Sequence, residues 1–334
     1  MGQLRKKLSI LENSQIQPRD LIGDLAAARF SLLRSFGCGA LNFANFWVRL
    51  ACRFFISIAK KKAQKIREKD PTIDEMDANK YTLCRIFKSG APLVIIGETD
   101  FPESKHGLVI GFNHPSLGEI IRLMYLCMAY YPDRTYLFPV NLIWYEALVP
   151  VIDELRQYGF ELTPIITPSA KNRLLRHAKT IEARARISIL TRAFTGAYVD
   201  RCAEFVKDGQ IVLVAPSATR KKYLFESQAI SDGKKPISPA TMSMLALKLV
   251  KLNVEEFGFV PVAIIPPKFA TKGLNLLMNY KFIICKEIGA KTVAEELEER
   301  EAACDARCIE RSFMKRIAYE FEVNEAKDRI VKPG

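Results

Sequence analysis

Short runs of apolar residues recur along the chain from residue 93 onward. Each run is bounded by turn residues, which is the pattern typical of a buried β-strand. The predicted strands are residues 93–96, 108–112, 135–140, 162–166, 211–215, 259–265 and 280–285.

The longer stretches between these runs are predicted to be helices, at residues 116–130, 143–158, 173–207, 239–257 and 292–326. Gly159 follows the second of them as a C-cap, and Asp208-Gly209 ends the third. Strands that alternate with helices predict an α/β fold with a mostly parallel central sheet flanked by helices.

The chain before Pro71 has a different pattern, because it is helical and basic. We therefore predict two parts. Residues 1–70 form an N-terminal helical, basic segment that associates with a membrane, and residues 71–334 form the α/β domain with its C-terminal helix.

One segment of the N-terminal part, residues 38–59, approaches the length and hydropathy of a transmembrane span. Arg49 and Arg53 argue against a span, because a charge at the bilayer centre costs several kcal/mol. The polar residues of the segment form one narrow stripe on an apolar helix, and a lysine-rich stretch follows it. This pattern suits a helix in the interface of an anionic membrane, and equally a helix packed on the protein core.

Composition limits the class of partner. The chain has 334 residues, with 50 Lys and Arg against 37 Asp and Glu, and its net charge is +13. Hydrophobic residues make up 49% of it, which excludes a disordered chain. The basic excess indicates an anionic partner: a nucleic acid, an anionic membrane surface or a phosphorylated substrate.

The cysteines and the first residues add further limits. None of the eight cysteines forms a Cys-x-x-Cys pair, so we expect free thiols in a reducing compartment and no zinc site. Residues 1–20 are polar and lack the apolar core of a secretory signal.

A histidine follows the predicted strand at 108–112. Pro115 and Ser116 are good first-turn residues, so His114 is expected just before a helix and Glu119 in its first or second turn. Catalytic groups of open α/β sheets collect where strands end and helices begin. A histidine held by a carboxylate can act as an oriented general base.

The run Asn113-His114-x4-Glu119 after a strand resembles the motif of the glycerolipid acyltransferases, which include the glycerol-3-phosphate and lysophosphatidate acyltransferases. The family motif usually ends in Asp, where this chain has Glu119. The resemblance covers roughly residues 90–290, and it implies that His114 and Glu119 are the catalytic pair.

A second match lies in residues 211–222, where a strand leads into Pro216-Ser217-Ala218-Thr219-Arg220. This loop resembles the Pro-Glu-Gly-Thr-Arg core of the family, with Ser and Ala in place of Glu and Gly. Its start is similar to that of the soluble plastid-type glycerol-3-phosphate acyltransferases. The resemblance implies that the phosphorylated acceptor is bound by Ser217, Thr219, Arg220, Lys221 and Lys222. Arginine suits this role, because its planar fork of donors fits a phosphate.

The remaining matches are weaker. Residues 259–264 resemble the apolar strand of the family that has a central proline, here Pro261. The stretch 196–201 resembles the Gly-x-x-Phe-x-Asp-Arg strand, but it lies too close to the basic loop and is better interpreted as a helix. The strand at 162–166 is the better counterpart, and it places Lys171 and Arg173 as further contacts to the acceptor phosphate.

The resemblance implies an O-acyltransferase of lipid metabolism. His114 removes the proton of an acceptor hydroxyl, which attacks the thioester of acyl-CoA or of an acyl-carrier protein. The acyl thioester is a co-substrate, and neither a cofactor nor a metal is expected. The expected partners are that donor, a phosphorylated or lipid acceptor and an anionic membrane surface, with the protein peripherally attached on the cytoplasmic side.

Two other functions remain open from the sequence. The chain could be a catalytically inactive, lipid-binding relative of the family, since Glu119, Ser217 and Ala218 depart from the usual motifs. A basic nucleic-acid-binding protein also fits the charge, but no nucleic-acid-binding motif accompanies it.

Overall fold

The computed structural model describes residues 39–88, 94–96, 100–113, 118–141, 145, 152–167, 171–172, 175–176, 180–215, 241–265, 280–303, 308–324 and 328–330. The chain divides into two units, residues 1–44 and 45–334. The first unit is described only where it begins a helix, at residues 39–44, and the α/β architecture lies in the second.

The described strands agree with the seven that the sequence predicts and add two short ones. They are β1 (Val94–Ile96), β2 (Gly107–Phe112), β3 (Tyr136–Asn141), β4 (Phe160–Ile165), β5 (Ile211–Val214), β6 (Phe257–Ile265), β7 (Lys281–Ile284), β8 (Ile288–Gly289) and β9 (Asp328–Ile330).

The described helices are α1 (Gly39–Lys69), α2 (Glu75–Lys88), α3 (Gly118–Tyr130), α4 (Ile152–Arg156), α5 (Ile181–Lys207), α6 (Thr241–Lys251), α7 (Ala290–Ala303) and α8 (Cys308–Asn324). The segment predicted as one C-terminal helix holds α7 and α8, and residues 304–307 between them lie outside the described residues.

The described strands form one mixed sheet in the order β4-β3-β5-β2-β6-β7-β1-β9, with β8 beside β6. Five strands in a row, from β4 to β6, run parallel to one another. Strands β7 and β8 are antiparallel to β6, β1 is parallel to β7, and β9 is antiparallel to β1. The predicted α/β class with a mostly parallel sheet is therefore confirmed.

Helices cover both faces of the sheet. Alternate residues of β2 point to opposite faces, as strand geometry requires. Leu108 and Ile110 pack with α3 in one hydrophobic core, which also includes Ala59 of α1. Val109 lies on the other face, in a core built with α5, α6, α7 and α8. Because both faces are buried, β2 is apolar at every position except its glycines.

Helix α1 contacts the first core through one side. Ala59 is fully buried and Ile56 packs against the same cluster, whereas Leu50 and Phe54 are exposed. Its C-terminal half therefore packs on the protein core, and the side chains of Leu50 and Phe54 are exposed. Among the described residues, none of the helices is long and apolar enough to cross a membrane.

Two predicted helix ends are confirmed and one is wrong. Gly159 and Gly209 have φ of 77° and 72°, the left-handed conformation that favours glycine after a helix. The helix predicted over 239–257 ends at Lys251 instead, and Phe257 already belongs to β6. Asn253, with φ of 52°, ends that helix, because Val254 N–H donates to Leu249 O at 3.1 Å in the bond that closes such a cap.

Candidate active site

The site predicted from the sequence lies at the carboxyl ends of the parallel strands. All five parallel strands, β4, β3, β5, β2 and β6, end at the same edge of the sheet. The chain leaves β2 for α3 on one face, and the next described helix after β5 is α6 on the other face. Neighbouring strands whose helices lie on opposite faces form a topological switch point, where open α/β sheets bind their ligands.

The two predicted motifs follow these two neighbouring strands. The β2–β5 pairing runs from Leu108 beside Ile211 to Gly111 beside Val214. His114 is three residues after Gly111, and Ser217 is three residues after Val214. Since paired strands lie about 4.8 Å apart, the chain enters the two motifs from neighbouring points of one edge.

Most of the predicted site residues lie outside the described part of the chain. These are His114, Arg173, Ser217, Thr219, Arg220, Lys221 and Lys222. The backbone of Glu119 is described, as the second residue of α3. This confirms the predicted helix after His114, with the carboxylate residue in its first turn.

Lys171 follows β4 rather than a strand beside β2. It is half-buried and helical, and its N–H donates to Thr167 O at 2.8 Å. Strands β3 and β5 stand between β4 and β2, which corresponds to roughly 14 Å at normal strand spacing. Lys171 thus shares the edge of the candidate site but lies after the outermost strand of the parallel set.

The end of β2 is held by a side chain whose role the sequence did not reveal. Asn113 is 4% exposed, and its Nδ2 donates to Ile264 O at 2.8 Å. Its Oδ1 accepts from Ile264 N–H at 2.5 Å. The amide of Asn113 therefore occupies both backbone groups of one β6 residue, immediately before His114.

A buried cation lies on the helix that follows. Arg122 is on α3, one turn after Glu119, and is 2% exposed. Burial lowers its pKa, although the nearby Tyr125 and Tyr280 oppose that shift. Tyr280 immediately precedes β7, whose first residue pairs with Ile265 at the carboxyl end of β6. In the sequence, Arg122 is a single charged residue inside the apolar stretch 120–128. Such a charge can equally belong to an ordinary exposed residue, so its burial was not predicted.

The stretch at 196–201, which resembles the Gly-x-x-Phe-x-Asp-Arg strand of the family in sequence, is helical, as predicted. It lies inside α5, where Arg201 pairs with Glu161 Oε2 at 2.9 Å and Glu204 Oε2 at 3.1 Å. The guanidinium of Arg201 is engaged by carboxylates of its own chain, and it does not follow a strand at the site edge.

The proline of β6 stands at a change of strand partners. On its outer side β6 pairs with β8 at Gly258 and Phe259, and with β7 from Val262 onward. Pro261 lies between the two pairings, and its carbonyl accepts from Cys285 N–H at 2.9 Å. A proline lacks the N–H of a normal strand residue, and this is the position where β6 tolerates its loss.

The start of α6 is capped by a buried carboxylate. Glu310 of α8 is fully buried and accepts from Met242 N–H at 2.7 Å and from Ser243 N–H at 3.0 Å. The hydroxyl of Ser243 also donates to it. Burial raises the pKa of Glu310 more than these bonds lower it. The first amides of α6 are therefore already occupied.

Other reactive groups of the described residues do not form a second site. Cys127, Cys202 and Cys285 are buried, and burial raises the pKa of Cys127 and Cys202, which keeps these two thiols protonated. Within the described ranges, His, Cys, Asp and Glu form no group of three that could hold a metal ion.

No family model matches this chain, and no curated protein is significantly similar to it in sequence.

Proposed function

We propose that the protein is an O-acyltransferase that moves a fatty acyl group from a thioester to a hydroxyl of a phosphorylated glycerol or lysophospholipid. The observation that carries the proposal is the pairing of β2 with β5. The motif around His114 and the basic loop around Arg220 follow these adjacent strands at a topological switch point. A general base and a phosphate-binding loop are the two parts that this reaction requires.

The proposed mechanism uses one base and no covalent intermediate. His114 removes the proton of the acceptor hydroxyl, and the resulting oxygen attacks the carbonyl carbon of the thioester. Glu119 orients His114 and stabilises its imidazolium. The tetrahedral intermediate collapses with cleavage of the C–S bond, and the imidazolium returns its proton to the leaving thiolate. Backbone amides at the start of α3 supply hydrogen bonds to the oxyanion.

The acceptor phosphate is assigned to the loop after β5. Arg220 and Thr219 bind it there, with Ser217, Lys221 and Lys222 around them. Lys171 and Arg173 follow β4 and are farther from β2 along the edge. We therefore assign them to the outer part of the phosphate site. Holding both substrates at one edge supplies the proximity on which the rate depends.

The proposal is tested by thiol release from acyl-CoA and from acyl-carrier protein. The acceptors are glycerol-3-phosphate, lysophosphatidate and, as the matched control without phosphate, glycerol. We expect release that depends on a phosphorylated acceptor, together with an acylated product. Absence of transfer from either donor to every acceptor would contradict an enzyme and favour the inactive, lipid-binding relative.

We also propose that α1 holds the protein on an anionic membrane surface. Leu50 and Phe54 are 48% and 63% exposed, on the side of α1 that faces away from the buried Ala59. The exposed basic residues of the following turns are Lys60, Lys61, Lys62, Lys65 and Arg67. Exposed apolar side chains next to a cluster of basic residues suit the interface of an anionic bilayer. Such a surface is also where acyl chains and lysophospholipid acceptors are found.

A further inference from the structure

Strand β2 ends in an unusual way, because a side chain continues its pairing with β6 after the backbone has left the ladder. The backbone register between the two strands ends at Phe112 beside Val262. Ile264 is the next β6 residue whose N–H and C=O point toward β2, and both groups bond to the side chain of Asn113. An amide side chain presents the same donor and acceptor as a peptide group.

Because a side chain takes the place of the backbone partner, the backbone of β2 is able to turn. Ile264 is fully buried, so its N–H and C=O need partners inside the protein. In a continued ladder, the backbone C=O of Asn113 would accept from Ile264 N–H, but residue 115 is a proline and has no N–H to donate to Ile264 O. Because the side chain of Asn113 satisfies them instead, the backbone can leave the sheet at residue 113.

We infer that Asn113 is a positioning residue that sets the direction in which His114 leaves β2. The inference rests on the proposed function, since it assigns to Asn113 the task of presenting the general base. Aspartate could not fill the same place at neutral pH because it has no donor, and the single hydroxyl of serine or threonine does not offer a donor and an acceptor on two separate atoms. The two bonds to Ile264 also identify the Oδ1 and Nδ2 atoms of Asn113 by chemistry alone, as each faces a group of opposite kind.

The test compares two variants at this position with a matched control. Asn113→Ala removes both bonds. Asn113→Asp keeps the shape and the acceptor oxygen, but it directs a second oxygen at the carbonyl of Ile264. The control is Asn79→Ala in α2. Asn79 is also buried, and it donates to Gln157 O at 3.3 Å, just before the amino end of β4.

The measured quantities are kcat, KM for donor and acceptor, and hydrogen exchange at Ile264 N–H. For Asn113→Ala we expect kcat to fall about 100-fold, both KM values to stay within about threefold of wild type, and exchange at Ile264 to become faster. For Asn113→Asp we expect a kcat deficit that shrinks as the pH falls, because a protonated carboxyl can donate to Ile264 O again. Asn79→Ala should change neither kcat nor exchange at Ile264.

The outcomes separate the inference from the proposed function. If Asn113→Asp, or Asn113→Ala where it folds, keeps kcat within about threefold of wild type at every pH, Asn113 only supports the fold and the inference is wrong. If hydrogen exchange at Ile264 N–H is unchanged in these variants, the side chain of Asn113 does not hold Ile264 and the inference is wrong. If the wild-type chain transfers no acyl group, the proposed function fails first, and the positioning role fails with it.

Discussion

At the scale of single residues, Gly111 shows how tightly the strand below the candidate site is packed. A Cβ built on Gly111 would lie 2.1 Å from the ring of Phe313 in α8. Phe313 is fully buried against the ring of Phe259 and cannot move without disturbing the core. Position 111 therefore requires glycine because the ring of Phe313 leaves no room for a Cβ, and not because of its backbone conformation.

We expect Gly111→Ala to lower the free energy of unfolding by about 1–3 kcal/mol, the usual cost of overpacking a core. Chemical denaturation checks this. The control is Gly196→Ala in α5, because a Cβ at Gly196 meets nothing within 4 Å. There the substitution should stabilise the helix by roughly 0.5–1 kcal/mol. Equal effects at the two positions would contradict the packing described for β2 and α8.

A second residue-scale prediction concerns Arg220. If its guanidinium binds the acceptor phosphate, Arg220→Ala removes a charge-assisted pair worth roughly 1.5–3 kcal/mol. We expect kcat/KM for the phosphorylated acceptor to fall about 10- to 100-fold while KM for the acyl thioester is unchanged. Arg220→Lys should recover part of the loss, since it keeps the charge but not the planar fork. If Arg220→Ala impaired the reaction equally with respect to the phosphorylated acceptor and the acyl thioester, Arg220 would have another role.

The sequence indicates which types of side chain belong to the candidate site, but not which groups they contact. His114 was found because it follows an apolar run and precedes helix-start residues. Asn113 and Arg122 were not assigned roles. An asparagine after a strand resembles a turn residue, and only the neighbouring β6 reveals its bonds to Ile264. Partners that are 151 residues apart in the chain leave no local signal.

At the scale of elements, the sequence predicts the strands that are buried on both faces of the sheet. The seven predicted strands all occur, because strands of a covered sheet must be apolar throughout and are easily recognised. Strand β8 has only two residues, and β9 is Asp-Arg-Ile, so neither contains an apolar run that could be recognised. Helix α2 was missed although Asp74 marks its start. The Asp74 carboxylate accepts from Asp77 N–H at 2.8 Å, as an N-cap does.

Glu310 gives an element-scale prediction, because it joins α8 to the start of α6. Burial raises its pKa, so the folded chain holds this proton more tightly than the unfolded chain. Its contribution to stability is therefore full below the pKa of an unfolded glutamate, about 4.3. It is lost progressively as the pH rises through the folded value.

The measurement is the free energy of unfolding of wild type and of Glu310→Gln at pH 5 and at pH 7. We expect the advantage of wild type over the variant to be smaller at pH 7 than at pH 5. The unsubstituted groups titrate in both proteins, so their effect cancels in the difference. An advantage that grows with pH would show that the hydrogen bonds from Met242 and Ser243 outweigh burial.

At the scale of the whole molecule, two clusters of basic residues contribute to the net charge of +13. One cluster lies in the lysine-rich turns of α1, whose exposed side chains follow the exposed Leu50 and Phe54. The other follows β4 and β5 at the edge of the sheet where the candidate site lies. The sequence alone left open whether α1 packs on the core or contacts lipid. The structure gives its C-terminal half a contact with the core and leaves apolar side chains exposed beside it.

Binding to vesicles tests whether the basic residues of α1 and its exposed apolar side chains hold the protein on a membrane. We expect the protein to co-sediment with vesicles that contain anionic lipid, more weakly at high salt, and not with neutral vesicles. Phe54→Ser should weaken binding severalfold. The matched control is Tyr319→Ser in α8, because Tyr319 is 62% exposed against 63% for Phe54. Equal effects of the two substitutions, or equal binding to neutral vesicles, would contradict a docking role for α1.

The measurement that tests the central claim most directly is the rate of acyl transfer by His114→Ala. The matched control is His106→Ala at the amino end of β2, because His106 also pairs with a carboxylate, Glu287 Oε1 at 2.7 Å. With His114 as the general base, we predict that His114→Ala lowers kcat at least 100-fold, while His106→Ala stays within about threefold of wild type. Acyl transfer by His114→Ala at the wild-type rate would contradict the account.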